Sequence, residues 1–257
     1  MKLGDLLLKG FAVLIFAFLY APLAAMALVS FTSGGSLTSV GSFTLDWYFR
    51  AFSNTRVLNA LYNSFWVAAV VTAISIVFAL LAAVAVEKLS ERIRMSLHNA
   101  FYLSIVIPEI AEALTLVLFF IWVDLPLGVF AVIVGHLVWF PLVYVVIRAR
   151  MAGMPKIYED AARVLGASGV RTFFSVTLPL LMPGIVTGGL LIFTWSWDSF
   201  IKTQFTRAPG FETLPVYIWN AAAGRGRGIS PEVNAVATVS LLISLTLALL
   251  YTRYRRK

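Results

Sequence analysis

Three carboxylates stand inside apolar runs of this sequence: Glu109, Glu112 and Asp198. An ionised carboxylate at the middle of a bilayer costs about 2.5–3.5 kcal/mol on insertion scales, so such a residue faces a cavity or a partner. Glu109 and Glu112 are three residues apart and share one helix face. Pro108 directly precedes them and can open the helix at that point. Asp198 lies within Trp195-Ser196-Trp197-Asp198-Ser199-Phe200. Carboxylates attract ammonium groups, and the indoles of Trp195 and Trp197 add cation–π contacts where they face the same space. The chemistry this points to is a cation path. A plainer reading pairs the acids with lysine or arginine, or puts them near the membrane surface, and makes the tryptophans interface anchors or packing. Lys202, four residues after Asp198, has the spacing of an intrahelical ion pair. His136 has no matched acid or second histidine and reads as a packing residue.

The elements that must position these groups are membrane spans. The chain has 257 residues, 60% of them hydrophobic and only 12% charged, about half the charge of a soluble domain. A transmembrane helix needs about 20 mostly apolar residues. Six segments qualify, at 10–31, 59–86, 98–123, 128–147, 184–206 and 232–252. Between them lie loops at 32–58, 87–97 (basic), 124–127, 148–183 and 207–231. The fold class is all-α, a polytopic membrane protein forming a single domain over residues 1–257. The apolar run after Lys2 and Lys9 extends to Phe31, which favours an uncleaved first span over a signal peptide.

With the N-terminus in the cytoplasm, the inner side holds Lys2, Lys9, Lys88, Arg92, Arg94, Arg148, Arg150, Lys156, Arg163, Arg171, Arg253, Arg255, Arg256 and Lys257. That is 14 of the 20 basic residues, and the excess orients both termini and the 148–183 loop inward. The net charge of +8 belongs to this bias and does not indicate nucleic acid. The Gly224-Arg225-Gly226-Arg227-Gly228 run is too short for RNA binding and reads as a flexible external loop. There is no cysteine, hence no thiol chemistry and no cysteine-based metal site. No Walker phosphate loop, HExxH or Gly-x-Ser-x-Gly pattern occurs, so neither ATP binding by that loop nor catalysis is expected of this chain.

The 148–183 loop has its own architecture. Pro155 suits a helix start. Ile157 to Leu165 then reads as about two and a half turns, with Ile157, Ala161, Val164 and Leu165 near one face. Gly166 suits the left-handed position that ends a helix. Ser168 can cap a second short helix through Val170–Val176, and Pro179 and Pro183 are expected to stop regular helix before the fifth span. Ala161 and Ala162 permit close approach by a partner, while the flanking acids and Arg163 can fix its register. Taken alone this is also the pattern of an ordinary amphipathic linker.

Glu159-Asp160-Ala161-Ala162, then Gly166, then Val176, Leu178 and Pro179 resemble in type and spacing the EAA loop of ABC-importer permeases. One departure is Asp160 at the position where that family usually has Glu, with Glu159 before it. Asn63-Ser64, Pro108, Pro141 and Ser230-Pro231-Glu232-Val233-Asn234-Ala235-Val236-Ala237-Thr238 look like the spermidine/putrescine branch, whose members also carry acids at the positions matching Glu109 and Asp198. The resemblance implies a type I permease subunit in the cytoplasmic membrane. It would work with a second permease chain (a sister chain by the polyamine likeness), a cytoplasmic ATPase dimer that holds ATP and Mg, and an external substrate-binding protein. The coupling residues would be Glu159, Asp160, Ala161, Ala162 and Gly166. The expected cargo is a polyamine; a phosphonate, a metal or an amino-acid-like solute is the alternative. A proton-coupled transporter working alone is a second rival, but no inverted repeat is apparent.

Overall fold

The computed structural model describes residues 3–34, 39, 41–223 and 230–255; the Gly224–Gly228 run lies outside them. It is helical almost throughout, as the uninterrupted apolar runs require, because only internally hydrogen-bonded backbone is tolerated in lipid. In chain order the helices are α1 (Leu3–Ser30), α2 (Asp46–Ser53), α3 (Thr55–Val86), α4 (Glu91–Val106), α5 (Glu109–Trp122), α6 (Val129–Leu137), α7 (Phe140–Ala152) and α8 (Ile157–Val164). There follow α9 (Gly169–Thr172), a π-helical turn at Phe173–Thr177, α10 (Leu178–Asp198), α11 (Ile201–Thr206), α12 (Leu214–Ala223) and α13 (Pro231–Arg255). Among the described residues, five stretches are long and apolar enough to cross a membrane: Leu7–Ser30, Thr55–Val86, Val129–Ala152, Gly169–Asp198 and Pro231–Arg253. Counting α4 and α5 as one bent span gives the six expected.

Several expectations need correction. First, the third span is not one helix: it bends by 104° between α4 and α5. Pro108 has no N–H to donate and forces the residue before it out of the helical region, so Ile107 is extended, with φ −63° and ψ 132°. Second, much of the basic 87–97 loop is helix, because α4 begins at Glu91. Third, Pro179 and Pro183 do not stop the chain. Helix runs on from Gly169 to Asp198. The π-turn at Phe173–Thr177 widens the ladder just where Pro179 removes a donor, and Pro183 is carried inside α10. The breaking point is instead Ser199, extended with ψ 108°, so the predicted 184–206 span divides into α10 and α11. The loops at 32–58 and 207–231 also hold helices, α2 and α12.

By internal contacts the chain forms two units, residues 1–59 with 217–243 and residues 60–216 with 244–257. In the first, Ser30 Oγ and Tyr48 Oη lie 2.7 Å apart. Trp47 Nε1 donates to the Thr32 carbonyl at 2.9 Å, and Asn54 Nδ2 donates to Glu232 Oε1 at 2.9 Å. The second contains all the candidate residues. Its core joins Val67 and Val71 of α3, Val143, Tyr144 and Ile147 of α7, and Leu181, Ile185 and Ile192 of α10.

Small residues let α10 and α7 close up. A Cβ on Gly184 would lie 3.0 Å from Arg150 Cβ, and one on Gly188 3.0 Å from Val143 Cγ1 and 3.4 Å from Val143 Cα. This is the small-x-x-x-small device of membrane helix pairs. Gly188→Leu is therefore expected to cost at least about 1–3 kcal/mol, read as a lowered unfolding midpoint of the detergent-solubilised protein. An unchanged midpoint would mean that the α7–α10 seam is not packed this way.

Candidate functional site

The two helix breaks meet. The first turn of α5, which follows the Pro108 break, packs on α11, which follows the Ser199 break. Glu109 and Glu112 sit in that first turn, where the positive end of the helix dipole favours carboxylates. Lys202, in the first turn of α11, points its Nζ to within 2.7 Å of Glu112 Oε2; the side chains are 0% and 5% exposed. The same ammonium lies 3.6 Å from the centroid of the Trp139 ring. The spacing that suggested an Asp198–Lys202 pair is overridden because the two residues belong to different helices.

Glu109 is half-buried and accepts a hydrogen bond from Ser199 Oγ at 3.4 Å. Asp198 is exposed on this chain, and Ser244 Oγ of α13 lies 2.9 and 3.1 Å from its two oxygens. Neither carboxylate forms an ion pair among the described residues. Trp195 is 43% exposed, three residues before Asp198 on α10, and its ring meets Trp139 edge-on at 5.2 Å. Trp197 is buried and stacks on Phe193 at 6.4 Å. The structure thus gathers Glu109, Glu112 and Lys202 around the breaks and sets Trp195 with Asp198 on an open face. Trp197 stays in the packing.

His136 is fully buried, 2.8 Å by Nδ1 from Ser196 Oγ and 3.0 Å by Nε2 from Thr203 Oγ1. The Thr203 hydroxyl donates to the Ser199 carbonyl at 3.1 Å, so it has no second hydrogen for the imidazole. The arrangement that satisfies every atom puts the histidine hydrogen on Nε2, with Ser196 donating to Nδ1. His136 thereby ties α6 to both sides of the Ser199 break, as a packing histidine would.

The second candidate region is α8 with the turn after it. Gly166 has φ 83°, the left-handed conformation, and Ser168 Oγ accepts from the Arg171 N–H at 3.3 Å, as the sequence indicated. No residue of α8 is buried. Ile157, Tyr158, Val164 and Leu165 are all exposed, the last two at 87%. Glu159 turns inward and accepts from Thr177 Oγ1 at 2.7 Å, which fastens α8 to the π-turn. Asp160 and Ala161 face outward, and Ala162 is half-buried. Of the two adjacent acids, Asp160 is the one left open.

Sequence reasoning missed Trp139 and the true partner of Lys202. Glu112 lies 90 residues before Lys202, and no local spacing signals such a contact. The Gly184/Gly188 spacing was a readable signal for the seam that holds α10 in place.

This arrangement is that of a membrane permease subunit. Residues 75–257 match the family described as binding-protein-dependent transport system inner membrane component, and the chain belongs to it. It is 30% identical over 248 residues to the spermidine/putrescine transport system permease protein PotC of Escherichia coli K12, with 96% of this chain and 93% of the relative covered. It is 31% identical over 235 residues to the putrescine transport system permease protein PotI of the same strain, covering 88% and 82%. Among solved structures, a bacterial ABC transporter involved in import of the acidic polysaccharide alginate superposes with a TM-score of 0.76. The identity there is 18%, and 99% of this chain and 98% of the other are covered. That likeness speaks to the fold alone, which is all-α and polytopic.

Proposed function

We propose that this chain is one of two permease subunits of an ATP-driven importer, in which it lines the path of a polyamine-type cation. Both termini and the 148–183 loop lie in the cytoplasm on this reading. The exposed apolar face of α8, with Asp160, Ala161 and Ala162, docks against a separate ATPase subunit that binds ATP and Mg. Glu159 and Gly166 hold α8 in its docking pose. Closure of the ATPase dimer moves α8, and the motion passes through the π-turn and α10 to the break at Ser199. A receptor outside the membrane delivers the solute. Coupling of this kind needs contacts that differ between two states, and the α5 and α11 breaks are where the backbone can re-aim.

The observation that carries the cargo reading is the charge balance at the breaks. Lys202 pairs with Glu112, which leaves Glu109 and Asp198 as two carboxylates outside any ion pair among the described residues. Trp195 stands one turn before Asp198. A site with net negative charge and an open indole favours ammonium groups; the names of the relatives point the same way. The test is import by the assembled complex carrying Asp198→Asn or Glu109→Gln. Each removes one charge-assisted contact, so kcat/KM for putrescine is expected to fall about 10–150-fold. Parent-like import of putrescine by both variants would show that these acids do not serve the path. Import of a phosphonate or amino-acid-like solute in its place would identify another cargo.

A further inference from the structure

We propose that Lys202 is a tethered ammonium seated in a cation subsite formed by Glu112 and the face of Trp139, and that its presence limits how many charges of a substrate the pathway accepts. This rests on the cation reading above. A carboxylate at 2.7 Å and an indole face at 3.6 Å are the two groups that together recognise an alkylammonium. Lysines in membrane spans ordinarily extend toward water; this one does the reverse and is fully enclosed. The seat adjoins the open face of the site. Trp139 meets Trp195 edge-on at 5.2 Å, and Trp195 leads to Asp198 three residues on. Glu109 shares the first turn of α5 with Glu112. Of three carboxylates, one is thus taken by the protein's own cation and two remain, which suits a diammonium substrate. A third ammonium would find its seat filled by a like charge.

The test compares import of a diamine (putrescine) and a triamine (spermidine) by complexes carrying the parent chain, Lys202→Met, or Lys202→Met with Glu112→Gln. Lys202→Met empties the seat and leaves Glu112 unpaired, so the triamine-to-diamine ratio of kcat/KM is expected to rise about tenfold or more. The double substitution removes the seat itself and is expected to return the ratio to within about twofold of the parent. A second arm uses Lys202→Ala in detergent with millimolar n-propylammonium, and n-propanol as control. The amine alone is expected to raise the unfolding midpoint by about 2–4 °C or more, or to restore accumulation of the variant in the membrane. The parent is expected to be indifferent to it. An importing Lys202→Met complex with an unchanged ratio overturns the proposal. So does a Lys202→Ala protein that the amine neither stabilises nor restores. If the parent imports neither amine, the cargo reading fails, and the n-propylammonium arm still decides whether the seat exists.

Discussion

Glu112→Leu is expected to destabilise the permease by about 3–5 kcal/mol, among the largest effects of any single substitution in the chain. The cause is what remains. Lys202 is enclosed, and its ammonium faces Glu112 at 2.7 Å; without that carboxylate the buried ammonium loses its ion-pair partner and keeps the Trp139 ring. Lys202 sits on α11, whose Thr206 carbonyl also accepts the Gly128 N–H at 2.9 Å. The substitution should therefore loosen the start of α6 as well as the α5–α11 contact. Thermal unfolding of the detergent-solubilised protein, followed by tryptophan fluorescence, reads the loss. Glu112→Leu combined with Lys202→Met should recover most of it, because replacing both members of a buried pair by apolar groups is often neutral. A double variant as unstable as the single one would mean that the cost is in packing and that the ion pair is incidental.

The second large effect is expected on the loop. Ala161→Trp places a bulky ring on the open face of α8, where Ala161 now permits close approach, and Gly166→Val forces a branched residue into φ 83°. Left-handed backbone costs about 1–2 kcal/mol for a residue with a Cβ, more for a branched one, so Gly166→Val should swing α8 out of register. Neither residue is in the packed interior, so both variants should still accumulate in the membrane. ATPase co-purifying with the permease is expected to fall at least about tenfold, since the lost contact area and the clash together exceed 1.4 kcal/mol. Normal recovery of ATPase with both variants would remove α8 as the docking element. Thr177→Val, which deprives Glu159 of its donor, should give a milder loss of the same kind.

What local chemistry dictates was legible in the sequence. Gly166 and Ser168 behave as the rules for helix ends require, and five of the six apolar runs overlap helices long and apolar enough to cross a membrane, the other falling on the bent α4–α5 pair. Pro108 marked the position of a break, although not its 104° extent, which depends on how α5 packs. Where the reading failed, a non-local contact or a compensating distortion intervened. Pro179 and Pro183 looked like stops, but a π-turn at Phe173–Thr177 absorbs the missing donor, and its five residues carry no mark of that role. Lys202 looked like the partner of Asp198 because helical spacing assumes an unbroken helix; Ser199 breaks it. The candidate acids were found by their cost in lipid. Sorting them into a neutralised one and two open ones needed the fold, because the neutralising residue comes from a helix 90 positions away.

On the proposed function, this chain provides a path whose driving force comes from another subunit. The direct measurement is putrescine uptake into proteoliposomes that hold the permease pair and the ATPase, with receptor protein outside and ATP enclosed. Uptake is expected only with enclosed hydrolysable ATP, to be indifferent to an imposed proton gradient, and to collapse with Ala161→Trp. Uptake that follows the proton gradient and persists without ATP would contradict the claim.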